Sequence, residues 1–408
     1  MLSTDIHSNG NSNGTMNSLT TLPFLFVLFI LTLYASKRIS HRWTASDISS
    51  VHKHATVDGL RGIAAILVVF HHSVFTFNNV ITGSWGNNAK ELSFLSDGEK
   101  VLLENAGPLA VSIFFMITGF LFFERIISKN AFGDVFSFYK KRALRIVPMY
   151  LVSIAVVFIC FFAIGVDDNI DSATFVNSVV GWLSFGFLPY TGLTDHFQYG
   201  RMNAGVIWTL AIEWKFYAIL PLMSSILLAF KSKLLPLIVC AIVLYLSFLY
   251  GFVFRMNAAI AMCFVVGAIA AALSQHQVAR EILSHHLISI ISIFSLVFIL
   301  LRNEVFYSLN TIGYLALFFI PVACGNSLFR VMKSSVLKMA GLISYSVYLL
   351  HGVILNVIYL NFHSLGYATA TTAALVLITL LCTISYILVE KRYMASSTAI
   401  GGKKASLL

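Results

Sequence analysis

Apolar residues in this chain come in long runs, separated by short polar stretches that carry most of the charge. A helix crossing a hydrocarbon layer of about 30 Å needs about 20 mostly apolar residues. By that measure the pattern predicts spans at 57–77, 107–127, 146–165, 206–230, 234–252, 257–274, 287–301, 306–324, 340–360 and 367–389. An earlier run, Leu22–Ala35, is followed by Lys37, Arg38 and Arg42 and has no basic residue ahead of it. A cleaved leader has the opposite order, so this run is expected to be an uncleaved extra helix or an interfacial one. The expected fold is therefore an all-α polytopic membrane protein, with about ten core transmembrane helices plus one extra N-terminal hydrophobic helix.

The expected organisation follows from the same pattern. Residues 1–20, rich in Ser, Asn and Thr, read as a disordered tail. Residues 21–56 hold the extra helix and a cytoplasmic linker, 57–390 form one membrane domain, and 391–408 are a cytoplasmic tail. Val176–Leu188 is also apolar, but a further crossing there would invert everything downstream. It is expected to be a re-entrant or interfacial segment.

Composition sharpens this picture. The chain is 58% hydrophobic and 11% charged, with mean hydropathy +0.85, whereas soluble domains carry about 25% charged residues. The net charge of +10 could suggest nucleic-acid binding, but the placement of the charges argues otherwise. Of 27 Lys and Arg residues, 21 fall on the side predicted cytoplasmic and five on the other, with Lys215 inside a span. That asymmetry is the positive-inside rule, and it accounts for the basic balance without nucleic acid. All five cysteines lie inside apolar runs without paired spacing, so neither disulfides nor a metal site are expected.

Polar residues inside the runs are the candidate chemistry. In Val57–Phe77, Arg61 and His72 are eleven residues apart, three helical turns plus about 20°, and so share a face about 16 Å apart along the axis. Asp58 stands three residues before Arg61, placed to hold its guanidinium. Either residue alone is equally consistent with snorkelling or an interhelical hydrogen bond; the pair on one stripe points into a bundle interior. Arg142 and Arg145 share a face at the start of the third core span, suited to anchoring or to forked recognition of phosphate. Glu213 stands among Trp208, Trp214, Phe216 and Tyr217 at the predicted outer start of the fourth. Ser344, Tyr348 and His351 recur at i, i+4 and i+7, one polar stripe on an apolar helix.

Five blocks resemble one family in order: DGLRGIAAILVVFHH from Asp58, GPLAVSIFFMITGF from Gly107, the R-x-x-R-I-x-P-x-Y pattern from Arg142, W-T-L-x-x-E-x-x-F-Y from Trp208, and G-x-I-S-Y-S-x-Y-L-x-H from Gly341. These are similar to the signatures of the membrane-bound acyltransferase-3 family. The sequence departs from them at His71, usually aromatic in the family, at Thr118, generally Ser, and after Glu390, where a Pro often follows the Glu-basic pair.

The resemblance implies transfer of an acyl group, acetyl foremost, from acyl-CoA to a hydroxyl of a cell-surface or exported carbohydrate such as O-antigen or exopolysaccharide. It implies His72 as base, Arg61 with Asp58 for donor binding or orientation, and Arg142 and Arg145 for the phosphates of acetyl-CoA. Glu213, Trp208, Tyr348 and His351 are then candidates for acceptor binding or for orienting His72. The partners implied are a carbohydrate acceptor, free or lipid-linked, and membrane lipids; no metal and no nucleic acid are expected, and the location is a bacterial inner membrane. The alternatives are acylation of a small molecule such as an antibiotic and, from another class, a transporter or flippase.

Overall fold

The computed structural model describes residues 18–49, 54–85, 95–165, 170–190, 193, 198–251, 255–302 and 307–394. Most of the expected N-terminal tail and residues 395–408 of the expected C-terminal tail lie outside them. Among the described residues there is no strand. In chain order the helices are α1 (Ser18–Ile39), α2 (His41–Ser49), α3 (Ala55–Thr82), α4 (Asp97–Lys129), α5 (Val135–Ile164), α6 (Ser172–Leu183), α7 (Trp208–Ala229) and α8 (Leu234–Leu249). They continue as α9 (Arg255–Leu273), α10 (Gln277–Leu283), α11 (His286–Leu301), α12 (Leu309–Ala323), α13 (Ser335–Leu342), α14 (Ser344–Phe362) and α15 (Tyr367–Ser385), the last extended by a π-turn over Tyr386–Glu390.

Each predicted span falls on a helix, and α1 supplies the extra one. Among the described residues seven helices are long and apolar enough to cross a membrane, or eight if α9 and α10, bent by 114° at their junction, form one broken span. The shortfall against ten lies in α8, α11 and α12, which have 16, 16 and 15 residues. At 1.5 Å per residue these reach about 24 Å, short of a full hydrocarbon layer.

Helix α3 is the axis of the bundle, buried on opposite sides. Leu60, Ala64 and Val68 pack into a core shared with α4, α7, α9 and α12, whereas Ala65, Val69 and Phe70 pack into one shared with α1, α14 and α15. Helices α4 and α9 approach backbone to backbone. A Cβ at Gly267 would stand 2.2 Å from the Met116 carbonyl oxygen, and one at Gly119 would stand 2.4 Å from that of Phe264. Small residues at such crossings are how helices gain contact area in lipid, where apolar burial offers little driving force. Helix α1 is bound to α15 by polar contacts, Thr32 to Thr379 at 3.0 Å and Ser36 to Thr383 at 2.8 Å.

The chain between α5 and α7 enters the bundle. Helix α6 has 12 residues, about 18 Å, too short to cross. The Tyr150 hydroxyl donates to the Trp182 carbonyl, and the following segment buries Met202, Asn203, Ala204 and Ile207. Asn356, midway along α14, donates to the carbonyls of Arg201 (3.1 Å) and Met202 (3.0 Å). Gly352 lets this segment in: a Cβ there would lie 2.3 Å from the Asn203 carbonyl carbon. Helix α7 therefore starts deep in the bundle, with Trp208 against Phe115, in the middle of α4.

Candidate functional site

A cavity of about 350 Å³ opens among α3, α4, α5, α7 and α14. It is lined by Arg61 from α3, Thr118 and Arg125 from α4, Arg142 and Arg145 from α5, Glu213 and Tyr217 from α7, and Ser344 and Tyr348 from α14. Four guanidinium groups against one carboxylate give it a positive field. Arg142 lies over the Phe122 ring, 4.9 Å from its centroid, and its buried Nε has no hydrogen-bond partner. An orphaned cationic N–H in a low-dielectric wall is costly unless a ligand satisfies it. A phosphate-bearing donor fits that demand. The Glu213 carboxylate accepts from the Tyr217 hydroxyl at 3.2 Å. At the cavity's inner end the Tyr348 hydroxyl bonds to Thr209 Oγ1 at 2.6 Å and to the Val206 carbonyl at 3.0 Å, pinning the buried segment to α14.

Beyond Tyr348 lies a pair of imidazoles. The His351 and His72 rings are 5.1 Å apart at 44°, and Tyr348 stands 6.4 Å from His351. His351 is fully buried, and its Nδ1 is 2.7 Å from the Val347 carbonyl. A carbonyl only accepts, so Nδ1 carries the proton, and in the neutral ring Nε2 holds the lone pair. That Nε2 and His72 Nδ1 are both buried without hydrogen-bond partners. On the far side Trp85 lies 6.0 Å from His72, and the Arg201 guanidinium sits 5.8 Å from the Trp85 ring. The neighbouring His71 is occupied differently: its Nδ1 donates to the Leu103 carbonyl at 2.7 Å.

Of the residues singled out from sequence, Arg61, Arg142, Arg145, Glu213 and Tyr348 share the cavity, and His72 and His351 meet just beyond it. Glu213 was expected at the opposite membrane face from Arg142 and Arg145. It joins them because the segment Met202–Ile207, buried against α14, lowers the start of α7 into the bundle. Asp58 is outside the cavity, 3.9 Å from Arg61 Nη1, with its Oδ2 buried and unpartnered. Trp208 stands behind the wall, packed on Phe115 and Tyr307.

Two participants were missed. Tyr217, one of the aromatics around Glu213 and given no role from sequence, lines the cavity and donates to Glu213. Glu390 entered only as part of a Glu-basic pair, yet its buried carboxylate accepts from Ser346 N at 3.0 Å and from Ser346 Oγ, satisfying the first turn of α14. A carboxylate closing an apolar run was the available signal. Among the described residues no three His, Cys, Asp or Glu converge as metal ligands would.

The polytopic helical bundle, with seven or eight helices among the described residues long and apolar enough to cross, defines a multi-pass integral membrane protein, and a basic cavity lies within it near the His351–His72 pair. Residues 54–389 match the model of an acyltransferase domain, acyltransferase-3, and the chain belongs to that family. It is similar to nodulation protein 10 of Rhizobium leguminosarum bv. viciae, 29% identical over 194 residues, 45% of this chain and 47% of that protein. It is also similar to an O-acetyl transferase of Shigella phage Sf6, 28% identical over 171 residues, 41% of this chain and 45% of that protein. The chain thus spans just under half the length of the curated relatives it matches. No solved structure matches it.

Proposed function

We propose that the protein is a membrane O-acyltransferase that moves an acetyl group from acetyl-CoA to a hydroxyl of a carbohydrate acceptor, in a bacterial inner membrane with the basic end of the bundle at the cytoplasm. The observation that carries this reading is the joining of one basic cavity, through Tyr348, to the His351–His72 pair. Family membership and the likeness to a protein named O-acetyl transferase support the reaction type.

In this reading Arg142 and Arg145 hold the donor's phosphates, and Arg61, steadied by Asp58, orients the acyl arm. The arm runs inward toward Tyr348, with Arg61 and His72 about 16 Å apart along α3. His72 takes the proton of the acceptor hydroxyl as its oxygen attacks the thioester carbonyl. The tetrahedral adduct then collapses, the C–S bond breaks, and the leaving thiolate receives the proton from His72. His351, with its Nε2 lone pair free, positions the His72 ring. Glu213, Trp208 and Tyr348 remain candidates on the acceptor side or in the cavity wall. A sugar hydroxyl is a weak nucleophile, and a positioned imidazole with an unpartnered ring nitrogen is suited to activating it.

The test is transfer itself. Protein reconstituted in liposomes with [14C]acetyl-CoA and a lipid-linked saccharide should place label on the glycan. Solute or ion flux without label on any acceptor would instead establish the transporter reading.

A further inference from the structure

A second cavity of about 210 Å³ lies beside the first, under the turn between α4 and α5. Its lining includes Phe132, Asp134, Ser137, Phe138 and Lys141, and it shares Phe122, Arg125 and Arg142 with the larger cavity. The shared residues form a partition rather than a separate site: the Arg142 guanidinium lies on the Phe122 ring, and its Nε is buried without a partner.

Two kinds of wall meet in this small chamber. One is aromatic, with Phe138 5.6 Å from Phe122 and 5.1 Å from Phe132. The other is cationic, with Lys141 standing clear of the partition and Arg125 and Arg142 on it. Flat aromatic surface suits a heterocycle, and an ammonium apart from a guanidinium pair suits a second phosphate apart from the first. Asp134 also lines the chamber, its carboxylate accepting from Ser137 N at 2.9 Å as the cap of α5. This is the chemistry of a nucleotide phosphorylated at two separated positions.

We propose that the small chamber holds the adenine and ribose 3′-phosphate of the donor, with Lys141 on the 3′-phosphate and Arg125 and Arg142 at the partition on the diphosphate. The arm beyond the diphosphate then enters the larger cavity. The proposal rests on the donor reading above, and it makes Lys141 a determinant of donor specificity that neither the cavity nor the histidine pair requires.

The experiment compares acetyl-CoA with 3′-dephospho-acetyl-CoA by calorimetry on purified full-length protein, wild type and Lys141→Ala. Wild type should prefer acetyl-CoA by about 10–100-fold, the worth of one charge-assisted contact. Lys141→Ala should remove that preference by weakening acetyl-CoA alone, leaving the dephospho form within twofold. Ser137→Phe, which fills the chamber, should weaken both. If wild type binds neither compound, the donor reading falls and this proposal with it. If wild type binds both and Lys141→Ala keeps the wild-type preference, only the chamber assignment is overturned.

Discussion

The two halves of the candidate site are built in opposite ways. The basic cavity is assembled from helix ends: Arg61 lies near the start of α3, Arg125 near the end of α4, Arg142 and Arg145 in the first turns of α5, and Ser344 at the start of α14. Its cations are gathered around one carboxylate, with Arg142 Nε buried and unpartnered, so they favour an anionic ligand. The histidine pair is assembled from mid-helix residues of α3 and α14, enclosed by Trp85 and by the segment that Asn356 holds. There two ring nitrogens, His72 Nδ1 and His351 Nε2, are buried without partners, and each is costly unless something satisfies it. On the function proposed above, the first half would capture a charged ligand and the second would carry proton transfer.

Substitutions that damage one half alone sharpen this contrast. Gly352→Val strikes the inner half hardest. Its side chain would collide with the Asn203 backbone, and overpacking of this kind costs about 1–3 kcal/mol or more. Thermal unfolding in detergent should shift downward by several degrees, and transfer should be lost with the 198–207 segment displaced. A Gly352→Val protein that keeps wild-type stability would mean that the segment does not dock against α14.

Arg142→Ala should act on the outer half only. Loss of a charge-assisted contact to phosphate costs about 1.5–3 kcal/mol, read as weaker acetyl-CoA binding with the rate at saturating donor little changed. Unchanged affinity would return Arg142 to anchoring the helix end.

His71→Phe should have the smallest effect. It removes the bond to the Leu103 carbonyl, worth about 0.5–1.5 kcal/mol, while His72 and His351 keep their geometry. Activity should stay within a few-fold of wild type, measured beside a modest fall in melting temperature. Loss of activity in this variant would move the base one residue along the helix.

How much of this was legible in the sequence follows from what each residue depends on. The helices were readable because apolar length is a local property, and the three that fall short, α8, α11 and α12, have only 16, 16 and 15 residues. The stripe joining Arg61 to His72 was readable because both lie on one helix. Tyr348 and His351 were readable as a stripe for the same reason. That His351 would meet His72 was not, because the contact depends on how α14 packs against α3. Glu213 was found but assigned to the wrong end, since nothing local in 184–207 announces a segment that dips into the bundle. Glu390 escaped because its partner, Ser346, lies 44 residues away. Tyr217 was hidden by its surroundings, one aromatic among several, with its hydroxyl's role set by Glu213 one turn earlier.

The central claim is that the two halves separate donor capture from chemistry, and His72→Ala tests it most directly when affinity and rate are measured on one preparation. Acetyl-CoA binding should stay within about twofold of wild type while acetyl transfer to the glycan falls by about 10²–10⁴-fold, the contribution of a general base. Transfer within threefold of wild type, or a loss of donor affinity as large as the loss of rate, would contradict it.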